Sequence, residues 1–369
     1  MKARVTEVES FPVSIPFRIP FVIASGAYLN NAEYILVKVE TAGGAVGWGE
    51  SSPMPAFSKE SQEDVHRTLL KKIQPAVVGG NLEHVQELLD KVSLAAPGSP
   101  YARAGVELAL RDAYARMQGV PLYTTLGGKK QEKAEAVWPI GLGPNRFLEE
   151  QVKWARNHGF KEVKLKVGHE PKKDLERIGI ARELMGRAAE IRIDANQGYS
   201  ERDAFYVAGR LDGVHIFEQP VAREKLDVLR RLRGASKARL MVDESCYSPA
   251  DALDVVKAEA ADIINIKIMK AGGLGPSSDI QSISAASGVP NCLGSMLETG
   301  IATAAGVHFY VSSRNIGLRT EIVGPLFLEE DVVRGLSIGG GALSVPSGNG
   351  IGVQVVESKV KEFSQKKHD

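Results

Sequence analysis

The sequence predicts an α/β protein, a (β/α) TIM-like barrel carrying an N-terminal α+β capping domain. From about residue 130 onward, strand-like segments (VKLKV, IRIDAN, HIFEQP, LMVDES and IINIKIMK) alternate with amphipathic helical stretches. Each segment carries an acid or a lysine toward its end: Lys166, Asp194, Glu218, Asp243 and Lys267. These recur at a spacing of roughly 25 residues, the length of one strand, one helix and two short loops. Alternation alone also suits a doubly wound sheet. Charged ends on five consecutive strands converge on one site most naturally in a closed barrel.

The first third follows a different rule. RVTEVESFPVSI, AEYILVKVET and AVGWGES alternate as strands, the last two joined by AGG after Thr41. The stretch SKESQEDVHRTLLKKIQPAVV reads as a helix capped by Ser58 or Ser61. NLEHVQELLDKVSLA and YARAGVELALRDAYARMQGV read as two more, the second with a small apolar face of Val106, Ala109, Leu110 and Ala113. Strands followed by helices give a sheet backed by helices, expected over residues 1–128. The barrel is expected over 129–341, beginning with AEAVWPIGL as its first strand and ending with NCLGSM and GLRTEIV as the seventh and eighth. Gly159, Gly234 and Gly288 stand where helices stop. Residues 342–369 are extended and turn-rich at first, a C-terminal segment expected to return to the cap.

Composition narrows the function. A chain of 369 residues, 43% hydrophobic and 25% charged, is long enough for one barrel and an added domain. Its 46 basic and 45 acidic residues leave a net charge of +1, with no basic stripe or acidic tail. The expected partner is therefore a small molecule, with no nucleic acid and no membrane. Cys246 and Cys292 form no CxxC pair, the N-terminus lacks the apolar core of a signal peptide, and no apolar run reaches about 18 residues. The expected location is the cytoplasm.

Asp194, Glu218 and Asp243 supply three hard oxygen ligands on adjacent strands, a donor set for Mg²⁺ or Mn²⁺. Lys164 and Lys166 share a strand face, and mutual repulsion is expected to lower a lysine pKa toward a usable base. Lys267 lies across the barrel. Two amines flanking a carboxylic substrate can remove the proton from one face of its α-carbon and return it to either face, through an enediolate. None of the seven histidines falls at the seventh strand end, NCLGSMLETG, which instead offers Ser295, Met296 and Glu298 as candidate substrate contacts beside Asn196 of DAN. His308, on an apolar helix, reads as a core or interface residue. The Gly-rich piece AGGLGP (271–276) could aim backbone N–H groups at an anion but lacks full GxGxxG spacing, and SGNGIG (347–352) reads as a turn.

The ordered set KLK, DAN, EQP, DES and NIKIMKAGG, with WGE at 48–50, resembles the enolase superfamily in its muconate lactonizing enzyme (muconate cycloisomerase) subgroup. The resemblance spans essentially the whole chain. It implies an isomerase in which Asp194, Glu218 and Asp243 bind the metal, Lys166 and Lys267 act on opposite faces of the substrate, and Lys164 supports them. It also implies that Glu321, in TEIVGPLFLEEDVV, is a proton donor as in muconate cycloisomerases. The paired aspartates that dipeptide epimerases typically carry there are missing. Substrate selection in this family comes from cap loops, here about 16–31 and 51–58, where Phe21, Tyr28 and Met54 either form an apolar lid or pack the cap on the barrel. A cycloisomerase leads these expectations. An N-acylamino acid racemase, dipeptide epimerase or o-succinylbenzoate synthase on the same scaffold is the alternative, and a homo-oligomer is expected.

Overall fold

Alternating apolar residues make two long cap strands, β1 (Val5–Val22) and β2 (Tyr28–Thr41), paired antiparallel with Val8 opposite Val39 and Val13 opposite Tyr34. The register slips between Pro16 and Phe21, where Pro16 and Pro20 cannot donate to a ladder. β3 (Val46–Ser51) completes the sheet. The helix Pro100–Met117 covers it so closely that β3 leaves no room for a side chain at Gly47 or Gly49. A Cβ on Gly47 would fall 2.1 Å from the Ala109 carbonyl oxygen, and one on Gly49 would fall 2.0 Å from that of Gly105. Between sheet and helix, Ser61 caps Gln62–Thr68 in a capping box with Asp64. This computed structural model describes residues 2–26 and 28–365, and the side chains of Tyr28, Leu29, Ala56 and Gln365 lie outside that description.

After β4 (Lys133–Glu135) comes a seven-stranded parallel sheet in sequential order: β5 (Trp138–Ile140), β6 (Glu162–Lys166), β7 (Glu190–Asp194), β8 (Ile216–Glu218), β9 (Arg239–Val242), β10 (Ile263–Ile266) and β11 (Asn291–Leu293). Helices separate successive strands and cover the sheet, giving an α/β barrel with an N-terminal cap. Two expected strands take different forms. AEAVWPIGL divides: only Trp138–Ile140 enters the barrel, while Lys133–Glu135 pairs antiparallel with Ala342–Ser344. GLRTEIV makes no regular strand. It closes the barrel through single bridges, Ile316 to Asn291 and Thr320 to Ala136. The supporting bonds are Val137 N–H to Thr320 O at 2.9 Å and Glu321 N–H to Leu293 O at 3.0 Å. Its neighbours β5 and β11 are three residues long, and each is laddered on its other side, to β6 and β10.

Period-two alternation sends Val163, Leu165, Ile191 and Ile193 to one face of the sheet and Glu162, Lys164, Lys166, Arg192 and Asp194 to the other. The inner face is therefore charged over much of its depth. The chain beyond the barrel touches both parts. Gly350 exchanges backbone bonds with Leu122 and Val120 of the cap, at 2.7 and 2.9 Å. Glu357, opening the last helix, pairs with Lys38 of β2 at 3.4 Å. Among the described residues, no helix is long and apolar enough to cross a membrane.

Candidate active site

Parallel register sets the site. Lys166 lies opposite Asp194, and Asp194 opposite Glu218; Asp243 follows β9 by one residue. The three acids are fully buried, and one oxygen from each falls within 4.8 Å of the others. Glu218 Oε2 and Asp243 Oδ2 accept no hydrogen bond of good geometry. Three buried carboxylates with an oxygen of each in mutual reach are the donor set of a hard cation, so these residues fit a divalent ion.

Ammonium groups surround the triangle. Lys164 Nζ lies 2.9 Å from Asp194 Oδ2, 2.8 Å from Glu218 Oε2 and 2.8 Å from Glu321 Oε1. Lys166 donates to Asp194 Oδ2 at 2.7 Å and Asn196 Oδ1 at 2.8 Å. Lys267 lies 2.8 Å from Asp243 Oδ2. At Lys164 and Lys267 this pairing outweighs the repulsion between lysines. Burial pushes Lys164 and Lys267 down, but the carboxylates outweigh it: Asp194, Glu218 and Glu321 hold Lys164 well above the usual lysine range, and Asp243 holds Lys267 above it. Among the acids, burial pushes all three up. Lysines reverse this at Asp194 and Asp243, while the neighbouring Asp194 adds to it at Glu218.

A small, partly open cavity lies above these groups. Lys166, Lys267, Asn196 and Glu321 form its polar side; Phe21, Met54, Ser295 and Met296 are also in the wall. The Tyr28 side chain lies outside the described residues. Glu298 departs from expectation. Its carboxylate accepts from the Ser295 hydroxyl and, at 2.9 Å, from the Met296 N–H, so it braces the turn behind the wall and is not a cavity contact. Glu321 meets Lys164 on one side and Arg192, at 3.3 Å, on the other. His308 is a core residue: it accepts from the Tyr123 N–H and faces the Ile351 carbonyl, and burial pushes it down to about 4.

Several site residues escaped the sequence reading. Asn265 donates to Glu218 Oε1 at 2.8 Å, and Lys270 to Asp243 Oδ1 at 2.6 Å. Glu244 accepts from Asn196 Nδ2 at 3.0 Å, which aims the other end of that amide at Lys166. Asn265 was readable, since it precedes Lys267 by two on the same strand face; Lys270 follows Lys267 by one helical turn. Phe57, whose ring centre lies 4.5 Å from Lys267 Nζ, comes from the cap and has no such signal.

Comparison with known proteins agrees with this geometry. Residues 5–127 match the family model described as mandelate racemase / muconate lactonizing enzyme, N-terminal domain, and residues 147–359 the enolase C-terminal domain-like model. The chain belongs to the enolase superfamily, in the muconate lactonizing enzyme subgroup. It is 34% identical to a chloromuconate cycloisomerase of Cupriavidus pinatubonensis over 90% of this chain and 91% of that one. It is 32% identical to the L-Ala-D/L-Glu epimerase of Bacillus subtilis over 95% and 96%. The dipeptide epimerase of Cytophaga hutchinsonii, solved with Mg and the dipeptide D-Ala-L-Val, superposes with a TM-score of 0.93 at 27% identity, covering 98% of each chain. The protein is thus an isomerase, with relatives among cycloisomerases, racemases and epimerases.

Proposed function

We propose that this protein is a divalent-metal-dependent isomerase of small carboxylates that moves the proton α to the carboxylate through an enediolate, most specifically a muconate-type cycloisomerase. One observation carries the reading: Lys166 and Lys267, bonded to different acids of one carboxylate triangle, both border the same cavity. Asp194, Glu218 and Asp243 would hold Mg²⁺ or Mn²⁺. A divalent ion shared by these acids would offset the charge of the substrate carboxylate and of the acids now paired with Lys166 and Lys267. Lys166 and Lys267 then serve as the proton acceptor and donor on opposite faces, with Asn196 steering Lys166 and Lys164 balancing charge beneath the acids.

The cycloisomerase reading draws support from the cavity wall. Among the described residues its wall holds one acid, Glu321, which is engaged by Lys164 and Arg192 and so is not free to hold a substrate ammonium. Glu321 also borders the cavity and in the cycloisomerase reading would join Lys166 and Lys267 as a proton donor. Phe21, Met54, Ser295 and Met296 would contact the substrate body. In this division of labour residues 1–128 select the substrate, 129–341 carry the chemistry and 342–369 tie the two together. The two buried, unpaired cysteines suit a cytoplasmic enzyme. The opposed lysines equally suit a racemase of N-acylated amino acids, the second reading. Proton NMR in D₂O with Mg²⁺ and separate muconate and N-acylamino acid substrates distinguishes them. Lactone formation supports the first reading and α-deuterium exchange with inversion the second; neither product from a broad carboxylate set would overturn both.

A further inference from the structure

We propose that Glu107, on the cap helix Pro100–Met117, is a positioning residue for Lys267, and that Gly273 is required to admit the clasp it forms. The inference rests on the role given to Lys267 above. Lys267 opens a single helical turn, Ile268–Ala271, whose residues are all buried. Ala271 N–H bonds back to Lys267 O at 3.0 Å, and Gly273 N–H to Ile268 O at 2.9 Å. The next helix, Leu274–Ala286, begins at once. At its start Gly275 N–H donates to Glu107 Oε1 at 2.7 Å, and Arg111 Nε donates to the same oxygen at 2.6 Å. The anion that this Gly-rich segment receives is thus a carboxylate of the cap.

The glycines fit that reading sterically. A Cβ on Gly273 would lie 1.8 Å from Glu107 Oε2, and Gly273 has φ +129°. A Cβ on Gly272, at φ +96°, would lie 2.9 Å from Arg103 Nη2 of the same cap helix. Glu107 is 5% exposed, so the carboxylate works in a poorly solvated place, where its pull on the helix N-terminus is strong. No slack separates clasp from amine: the intervening turn is packed and internally bonded. Lys166 differs, since β6 is held by ladders to β5 and β7 on both sides. The clasp therefore acts on one of the two opposed amines.

The test compares wild type, Glu107→Gln and Gly273→Ala as full-length protein with Mg²⁺, using the two enantiomers of N-succinylphenylalanine in D₂O. The Lys267 face is defined as the enantiomer whose exchange Lys267→Ala abolishes. Glu107→Gln is expected to slow exchange on that face about tenfold or more, as misplacement of a reacting group does, and to leave the other face within about twofold. Backbone amides of 267–275 should take up deuterium faster than in wild type, while those of 162–168 do not change. Gly273→Ala should reproduce the asymmetry. Equal slowing of both faces, or wild-type uptake at 267–275 in Glu107→Gln, overturns the clasp. Wild type that exchanges neither enantiomer counts against the racemase reading alone, and amide uptake then decides the clasp.

Discussion

The two ends of the barrel hold similar clusters with opposite character. At the carboxyl end Asp194, Glu218 and Asp243 converge; at the amino end Glu162, Glu190 and His215 do, and each trio brings its ligand atoms within 4.8 Å. Proximity of acids therefore does not distinguish a metal centre from a structural knot. The counter-cations do. At the amino end Arg192 reaches Glu162 at 2.9 Å, and Arg319 reaches Glu190 at 2.5 Å. Guanidinium forks satisfy carboxylates and never deprotonate, so that cluster is permanently neutralised. At the carboxyl end the cations beside the three acids are lysines, which can give up a proton. Glu190 is also half exposed, whereas the upper acids are sealed.

That contrast can be broken or sharpened in order of expected effect. Lys166→Ala or Lys267→Ala should cut turnover by about 10³-fold or more, the scale of a lost acid-base group, with little change in melting temperature. His215→Ala at the other end should leave kcat within about threefold, and a comparable loss there would erase the distinction. Arg192→Met should cost about 3–5 kcal/mol in urea unfolding, because it strands buried Glu162 and Glu321. Glu218→Gln should weaken Mg²⁺ binding by about 10-fold or more in calorimetric titration, an order-of-magnitude expectation for a lost charged ligand. Glu190→Gln should leave that affinity unchanged.

The smallest effect concerns acid stability. Burial pushes Glu162 up, but Arg192, then His215 and Arg319, more than offset it and hold the group near 2 against an ordinary 4.5. A depressed carboxyl stabilises the fold fully above the unfolded value and loses that contribution as pH falls from about 4.5 toward 2. Glu162→Gln should therefore flatten the unfolding curve within that window. An unchanged slope would mean that other carboxylates govern the acid limb.

Much of the upper site was legible because strand chemistry is periodic. Lys164 and Lys166, then Asp194, Glu218 and Asp243, occupy equivalent positions in a repeat of constant length, and that phase alone brings them together. The same period also exposes Arg192 and Asn265, each two residues before a site residue. What stayed hidden depends on contacts distant in sequence. The closing segment 316–321 is held by isolated bridges that its own pattern does not announce. Glu298 resembles a ligand in sequence, yet the four-residue turn 295–298 consumes its carboxylate. Phe57 and Glu107 meet Lys267 and its turn only after cap and barrel have docked.

Lys164 carries one further consequence. Its buried ammonium sits against Asp194, Glu218 and Glu321, so the carboxylates have an internal tenant before any ion arrives. Construction of the barrel and its loading are then separable events, unlike small metal-folded domains that collapse when stripped. A chelator should silence such an enzyme while leaving its architecture standing.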